Sequence, residues 1–430
     1  MGIGKRYQRG SVMVLGLIAM ATCLLVALAV FNIGQTVAEK MRLANTADAA
    51  AYSGAIWLVR TLNYQAYANR AMVANEVAIA QTVSLSAWFS EVDKAAMNIS
   101  ALNAWMPNMA MAIQAISDSG IKSDFTGAAP TILETLSSGV NKALSKSQTS
   151  AHSAGFTANT EVIDAVIKAN DGDAQQTGAS KALLAQYQKS YTDFTQGYGG
   201  NQRYRIKGVV IKSPDGFTQQ RGWDANFDPD IEFRKRGGTQ MVGLSKWEAF
   251  DTFSAYTYQC TKSACSWKEK TPTGWGGTKS EKDPTTSSPL NYGGAKTNDQ
   301  AFDLAKSEEM DLPGYAGLPS SRDVTDRKLK DNDLQTLAFI IEVAKPATKL
   351  RSSTLLGIGS GSLQQSGVYA GDEISVLAKA EVYFRYPDNQ DYKSFFRKTE
   401  YANLYNPFWQ ARLKSPSLAD RLAVLAAKAK

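Results

Sequence analysis

Residues 5–10, Lys-Arg-Tyr-Gln-Arg-Gly, lead into an apolar run. It opens Ser11-Val12-Met13-Val14-Leu15-Gly16-Leu17-Ile18 and closes Val30-Phe31-Asn32-Ile33. A small-residue block follows, Asn45-Thr46-Ala47-Asp48-Ala49-Ala50-Ala51-Tyr52-Ser53-Gly54-Ala55. No charged side chain lies between Val12 and Ile33. A helix needs ~20 mostly apolar residues to cross a hydrocarbon layer of about 30 Å, so residues 11–33 read as a transmembrane helix. Lys5, Arg6 and Arg9 precede it, whereas Glu39 offsets Lys40 and Arg42 behind it. That bias makes residues 1–10 a basic cytoplasmic leader and places nearly everything after Ile33 on the exoplasmic side.

Composition favours a folded body. Hydrophobic residues make up 44% and charged residues 20%, enough apolar matter for a core. The net charge of +7 is spread among acids, without the basic stripe that nucleic-acid binding needs, so no nucleic-acid partner is expected. Solubility and a weak attraction to an anionic bilayer surface account for it. Cys23 sits inside the apolar run, where a thiol packs as a small hydrophobe. Cys260 and Cys265 could pair as a small structural disulfide in an oxidising compartment, with free thiols as the other reading. A metal site would need further ligands, and His152, the one histidine, is remote in sequence.

Along the chain the texture changes from helical to mixed, giving an α+β class. Residues 34–198 form a helical exoplasmic region. Between Gln35 and Met106 the only glycine is Gly54 and proline is absent, while Ala, Met, Leu and Gln, which lose little entropy in a helix, abound. Pro107 is a natural stop. An unbroken helix from Val12 to Trp105 would be ~140 Å long, so a bend is expected, with Asn63-Tyr64-Gln65 as a place for it. Further helices are predicted over 131–146, 160–170 and 180–195. The polar stretch 145–153 reads as a turn, with His152 solvated or capping. Residues 199–406 read as a mixed β-rich domain, with strands over 204–211, 250–260, 336–344 and 373–386. A flexible loop is expected near 271–300, where Gly274-Trp275-Gly276-Gly277 and Pro284-Thr285-Thr286-Ser287-Ser288-Pro289 fall. Residues 407–430 form a helical tail, with an amphipathic helix over 418–429 behind a Ser415-Pro416-Ser417 cap.

No catalytic signature emerges, and no catalytic, cofactor-binding or metal residue is assigned. A serine hydrolase needs a base beside its nucleophile, and there is no Gly-x-Ser-x-Gly elbow for His152 to serve. Gly357-Ile358-Gly359-Ser360-Gly361 lacks the Lys-Ser/Thr of a phosphate loop and reads as a turn. Acids at 308–311 and 323–333 lack calcium-loop spacing, and the second group is interleaved with Arg327, Lys328 and Lys330 as on a solvated face. A two-carboxylate glycosidase stays open, because its acids need no local motif.

Arg9-Gly10, a single apolar helix, and then Arg42-Leu43-Ala44-Asn45-Thr46-Ala47-Asp48-Ala49-Ala50-Ala51 resemble the N-terminal signature of the TadE/TadG-like family of Flp (Tad) pilus-assembly proteins. The resemblance covers about the first 55 residues. It implies a single-pass bacterial inner-membrane protein, a pilin-like component of a tight-adherence pilus or related secretion apparatus, with its body periplasmic or extracellular. The von Willebrand A domain of many TadG-like proteins is not carried over, because its Asp-x-Ser-x-Ser triplet is missing. Prepilin-type processing would cut between Gly10 and Ser11, but Leu15 stands where prepilins carry Glu. A signal-peptidase cut after Ala27-Leu28-Ala29 is the other processing reading.

In the small-residue block, Ala47, Ala51, Gly54 and Ala55 recur at helical spacing and would let another helix approach, giving pilus or secretion-apparatus subunits a packing face. Asn45 and Asp48 complete that motif, with Asp48 either pairing with a neighbouring subunit's cation or simply solvated. Aromatics from Trp57 to Trp105 serve as core or as an interaction surface. Two classes of function remain. One is a non-enzymatic, membrane-anchored assembly component. The alternative is an envelope binding module, or an envelope enzyme without a recognisable motif.

Overall fold

A computed structural model describes residues 11–261, 264–283, 290–325, 336–350, 373–385 and 402–429. Outside them fall Gly10 and its leader, residues 284–289 of the expected loop, the charged stretch from 326 to 333, the Gly357–Gly361 turn and the expected strand end at 386.

Helix α1, Ser11–Met97, is unbroken over 87 residues, about 130 Å at ~1.5 Å per residue. The expected bend at 63–65 does not occur, because the side chains of Asn63 and Tyr64 tie the helix to the body. The Asn63 amide donates to the Trp409 carbonyl and accepts from the Trp409 N–H, both at 3.1 Å. The Tyr64 hydroxyl donates to Ser147 Oγ at 2.7 Å. Short helices α2 (Ile99–Asn103) and α3 (Pro107–Asp118) reverse the chain, with Pro107 at a first helical position, where its missing N–H costs nothing. Helix α4 (Ile121–Glu134) passes through a π-helical segment, Thr135–Asn141, into α5 (Lys142–Asn170).

Helix α5 runs antiparallel to α1. The turn expected at 145–153 is helical because its polar residues face polar partners on α1. Gln148 Nε2 donates to the Gln65 carbonyl at 2.9 Å and to Asn69 Oδ1 at 2.7 Å. The chain continues through β1 (Gln175–Gln176), α6 (Gly178–Phe194), β2 (Thr195–Tyr198) and α7 (Tyr204–Val210). Residues 204–211, expected as a strand, are thus helical. Ile206 and Val210, four apart and both fully buried, fall on one helical face.

After α8 (Gly216–Gln219) come β3 (Arg221–Asp228), β4 (Ile231–Val242), β5 (Lys246–Cys260) and β6 (Cys265–Glu281), then α9 (Asp299–Ser307) and β7 (Met310–Asp311). They form a five-stranded sheet in the order β3-β4-β5-β6-β7, antiparallel except for the β6–β7 pair. The loop expected at 271–300 is therefore largely ordered structure: Gly274 to Gly277 lie in β6, and α9 closes the segment. Strand β8 (Ser321–Val324) pairs with β2. Strands β9 (Thr336–Pro346), β10 (Glu373–Phe384) and β11 (Trp409–Lys414) join β1 in an antiparallel sheet of order β1-β9-β10-β11. Helix α10 (Leu418–Lys428) starts at a Ser417–Asp420 capping box.

The two sheets use successive stretches of α1. Leu43, Ala47, Ala51, Leu58 and Leu62 lie in one core with Ile163 of α5, Ile341 and Val343 of β9, and Val382 of β10. Met72, Ile79, Val83 and Ala87 share a second core with Met241, Trp247 and Ala249. A division at 198/199 does not describe this arrangement. β1 and α6 precede it yet pack with β9, and the 407–430 tail begins with a strand.

Candidate functional surface on the spine helix

Among the described residues, Glu39 is the first of α1 to be buried. Before it the apolar side chains stand in the open, with Met13 77% and Ile33 58% exposed. This is a helix long and apolar enough to cross a membrane, and none of its most apolar stretch is covered by the body. Ser11 opens the helix, and Cys23 lies exposed on the free stretch.

The junction with the body is a buried ion triad. Lys345 Nζ, on β9, lies 3.1 Å from Glu39 Oε2 and 2.9 Å from Asp171 Oδ2, just past α5. Burial works against the ammonium, but its bonds to Asp171 and Glu39 outweigh that and raise its pKa.

The small-residue block comes next. Ala47, Ala51 and Ala55 are fully buried. At Gly54 a Cβ would stand 2.6 Å from Asn159 Oδ1 and 2.8 Å from Ile163, so any larger residue would push α5 away. The small face does admit another helix, but it is α5 of the same chain. The expectation that this face receives a partner subunit is corrected accordingly. Asn45 and Asp48 lie on the opposite, solvent-facing side, and partial desolvation raises the Asp48 carboxyl above its ordinary range. Their outward face continues along α1 through Tyr52, Arg60, Tyr67 and Arg70, all exposed. It ends in an open groove of about 690 Å³ between Arg70, Val73 and Val77 of α1, Val209 of α7, and Asn403 and Tyr405.

His152 is buried rather than solvated. Its ring stacks on Tyr191 with centroids 4.9 Å apart, and Nδ1 lies 3.2 Å from Thr195 Oγ1. Burial, helped by the Arg322 charge, pushes its pKa down to about 4, so the imidazole is neutral near pH 7. Cys260 and Cys265 are disulfide-bonded across the tip of the β5–β6 hairpin.

Two buried acids of α1 were not legible in the sequence. Glu76 accepts from Tyr315 at 2.8 Å, Asn141 at 3.0 Å and Trp247 at 3.1 Å. Glu91 bonds Lys235 at 2.5 Å, and Lys235 also reaches Asp251, which a buried Arg221 grips at 2.6 Å. Glu76 is a lone acid in an Ala- and Val-rich helical run and Glu91 sits beside Asp93 and Lys94, patterns that equally describe solvated residues. These acids bind the spine to its sheets. Among the described residues, no group of three or more His, Cys, Asp or Glu is placed to hold a metal ion.

No curated protein and no solved structure matches the chain. The Tad family model, Flp pilus-assembly TadE/G-like, matches residues 10–56. That span takes in the free apolar stretch, the Glu39 junction and the small-residue block. Over residues 10–56 the chain is thus similar to the TadE/G-like Flp pilus-assembly family.

Proposed function

We propose that this chain is a membrane-anchored, pilin-like component of Flp/Tad-type pilus assembly or of a related secretion apparatus, structural rather than enzymatic in role. The observation that carries the reading is the continuity of α1. The helix that carries the segment matched to the pilus-assembly family is uncovered over its apolar part and then, in successive stretches, packs against both sheets. A load on the anchor would pass directly into the body. The basic leader supports a cytoplasmic N-terminus in the inner membrane, with a periplasmic or extracellular body. Pilus or apparatus subunits would meet the outward face of α1, since α5 occupies the small-residue face.

Deletion in the encoding bacterium tests this. Surface Flp pili should be lost and restored by the full chain. A Tyr52→Glu/Tyr67→Glu variant, altered only at exposed positions, should accumulate in the membrane fraction yet fail to restore them. Normal piliation after deletion would sink the assembly role and turn attention to an envelope binding module.

A further inference from the structure

The free stretch of α1 meets the body at one level, and the height of that level can be read from the helix. Counted from Val12, ~20 residues of hydrocarbon crossing end near Asn32, the first strongly polar side chain of the run after Thr22 and Cys23. Glu39 stands seven residues further on, ~10 Å at ~1.5 Å per residue. The headgroup layer extends about 5–7 Å beyond the hydrocarbon on each side. The Glu39 junction therefore lies just above the headgroups.

Helix α5 and strand β9 both end at this junction, as the Glu39–Lys345–Asp171 triad shows. Four cations stand exposed around it: Lys40 and Arg42 on α1, Lys168 in the last turn of α5, and Lys349 just past β9. The acids are placed differently. Among the described residues, Glu39 and Asp171 are turned into the fold and share Lys345, Glu373 is half-buried at the start of β10, Asp173 is exposed 3.9 Å from Lys349, and Asp164, exposed one turn before Lys168 on α5, accepts from Gln176 at 2.7 Å. Net charge at the junction is small, but its outward layer is basic. Long Lys and Arg stems can carry their charges several ångströms toward the headgroups, whereas the buried carboxylates cannot follow.

We propose that this collar binds the anionic phospholipid headgroups of the leaflet from which α1 emerges, and so sets the height of the body above the membrane. The inference rests on the anchored reading given above. Each cation held at an anionic surface favours the association by about fivefold.

The test uses the full chain reconstituted in phosphatidylcholine bilayers containing traces of spin-labelled phosphatidylcholine or phosphatidylglycerol. Motionally restricted lipid of either kind reports an inserted helix. Its absence would overturn the anchored reading itself. With restricted lipid present, phosphatidylglycerol should be favoured by at least ~3-fold at low salt. The preference should fall towards unity near ~1 M salt, where charges are screened beyond about 3 Å. The Lys40→Gln/Arg42→Gln/Lys168→Gln/Lys349→Gln variant should lose at least about half of the preference, while a Lys40→Arg/Lys168→Arg/Lys349→Arg variant keeps it. Lys5, Arg6 and Arg9 remain in both variants. An undiminished preference in the Gln variant would trace it to that leader and overturn the collar, as would no preference in the parent chain.

Discussion

Glu76 shows what a single side chain does in this spine. It is withdrawn from water, and burial raises its carboxyl to about 7, against the lowering effect of its bonds to Trp247, Tyr315 and Asn141. The unfolded chain would release that proton near its ordinary 4.5. Between those values the folded protein holds a proton the unfolded chain has lost, so this group's contribution to stability falls as pH rises through the window and levels off above it. At ~1.4 kcal/mol per unit the whole fall is on the order of 3 kcal/mol. Glu76→Gln keeps the shape and removes the titration. Unfolding in guanidinium at pH 5, 6, 7 and 8 should show a parent slope steeper than the variant's by about one proton across this window, with other titrating groups cancelling in the difference. Parallel slopes would mean that Glu76 titrates as an ordinary surface acid. Nothing in the sequence separates it from one, because burial of an isolated acid is decided by partners 65 to 239 positions away.

At the scale of elements, legibility followed periodicity. Strand β10 was readable because its apolar residues alternate, β9 because it is a short, nearly continuous apolar run, and α10 because its cap is local. The stretch Gly274-Trp275-Gly276-Gly277 was misread as loop because glycine usually marks a turn. In β6 it provides clearance: Gly274 and Gly276 lie where α1 crosses, and Gly277 faces α9. A Cβ at Gly276 would meet the Ala87 carbonyl oxygen, main chain that cannot swing aside. Gly276→Ala should therefore cost about 3 kcal/mol or more, the upper range for overpacking a core, because helix and sheet must separate. Gly208→Ala is the matched control. It lies inside α7 with nothing within 4 Å of the added carbon, and it should gain up to about 1 kcal/mol from helix propensity. Denaturant midpoints of the two variants measure both. Equal small effects would show that the α1–β6 approach is not tight.

For the whole molecule, α1 divides at Glu39 into an apolar part that the body leaves uncovered and a part on which the body is built. No described side chain before Glu39 is buried, whereas Leu43, Ala47, Ala51, Leu58 and Leu62 supply the α1 side of the core beneath the four-stranded sheet. Removing the first part should leave folding intact. A chain starting at Gln35 should match the unfolding free energy of the full chain within about 1 kcal/mol, as expected for changes away from buried contacts, and should no longer sediment with membranes. A chain starting at Tyr64 would strip the apolar cover from β9 and β10 and leave Lys345 and Asp171 without Glu39. Its four-stranded sheet should lose amide-exchange protection, since removing Leu43, Leu58 and Leu62 at about 2–5 kcal/mol each is comparable to the whole of a typical stability margin of about 5–15 kcal/mol. The five-stranded sheet, resting on residues 72–95, would report whether it stands independently. Retained protection in β9 and β10 would show that α1 is not their core. The same division bears on processing, because cleavage between Ala29 and Val30, or ahead of Ser11, falls wholly in the part that the body does not use.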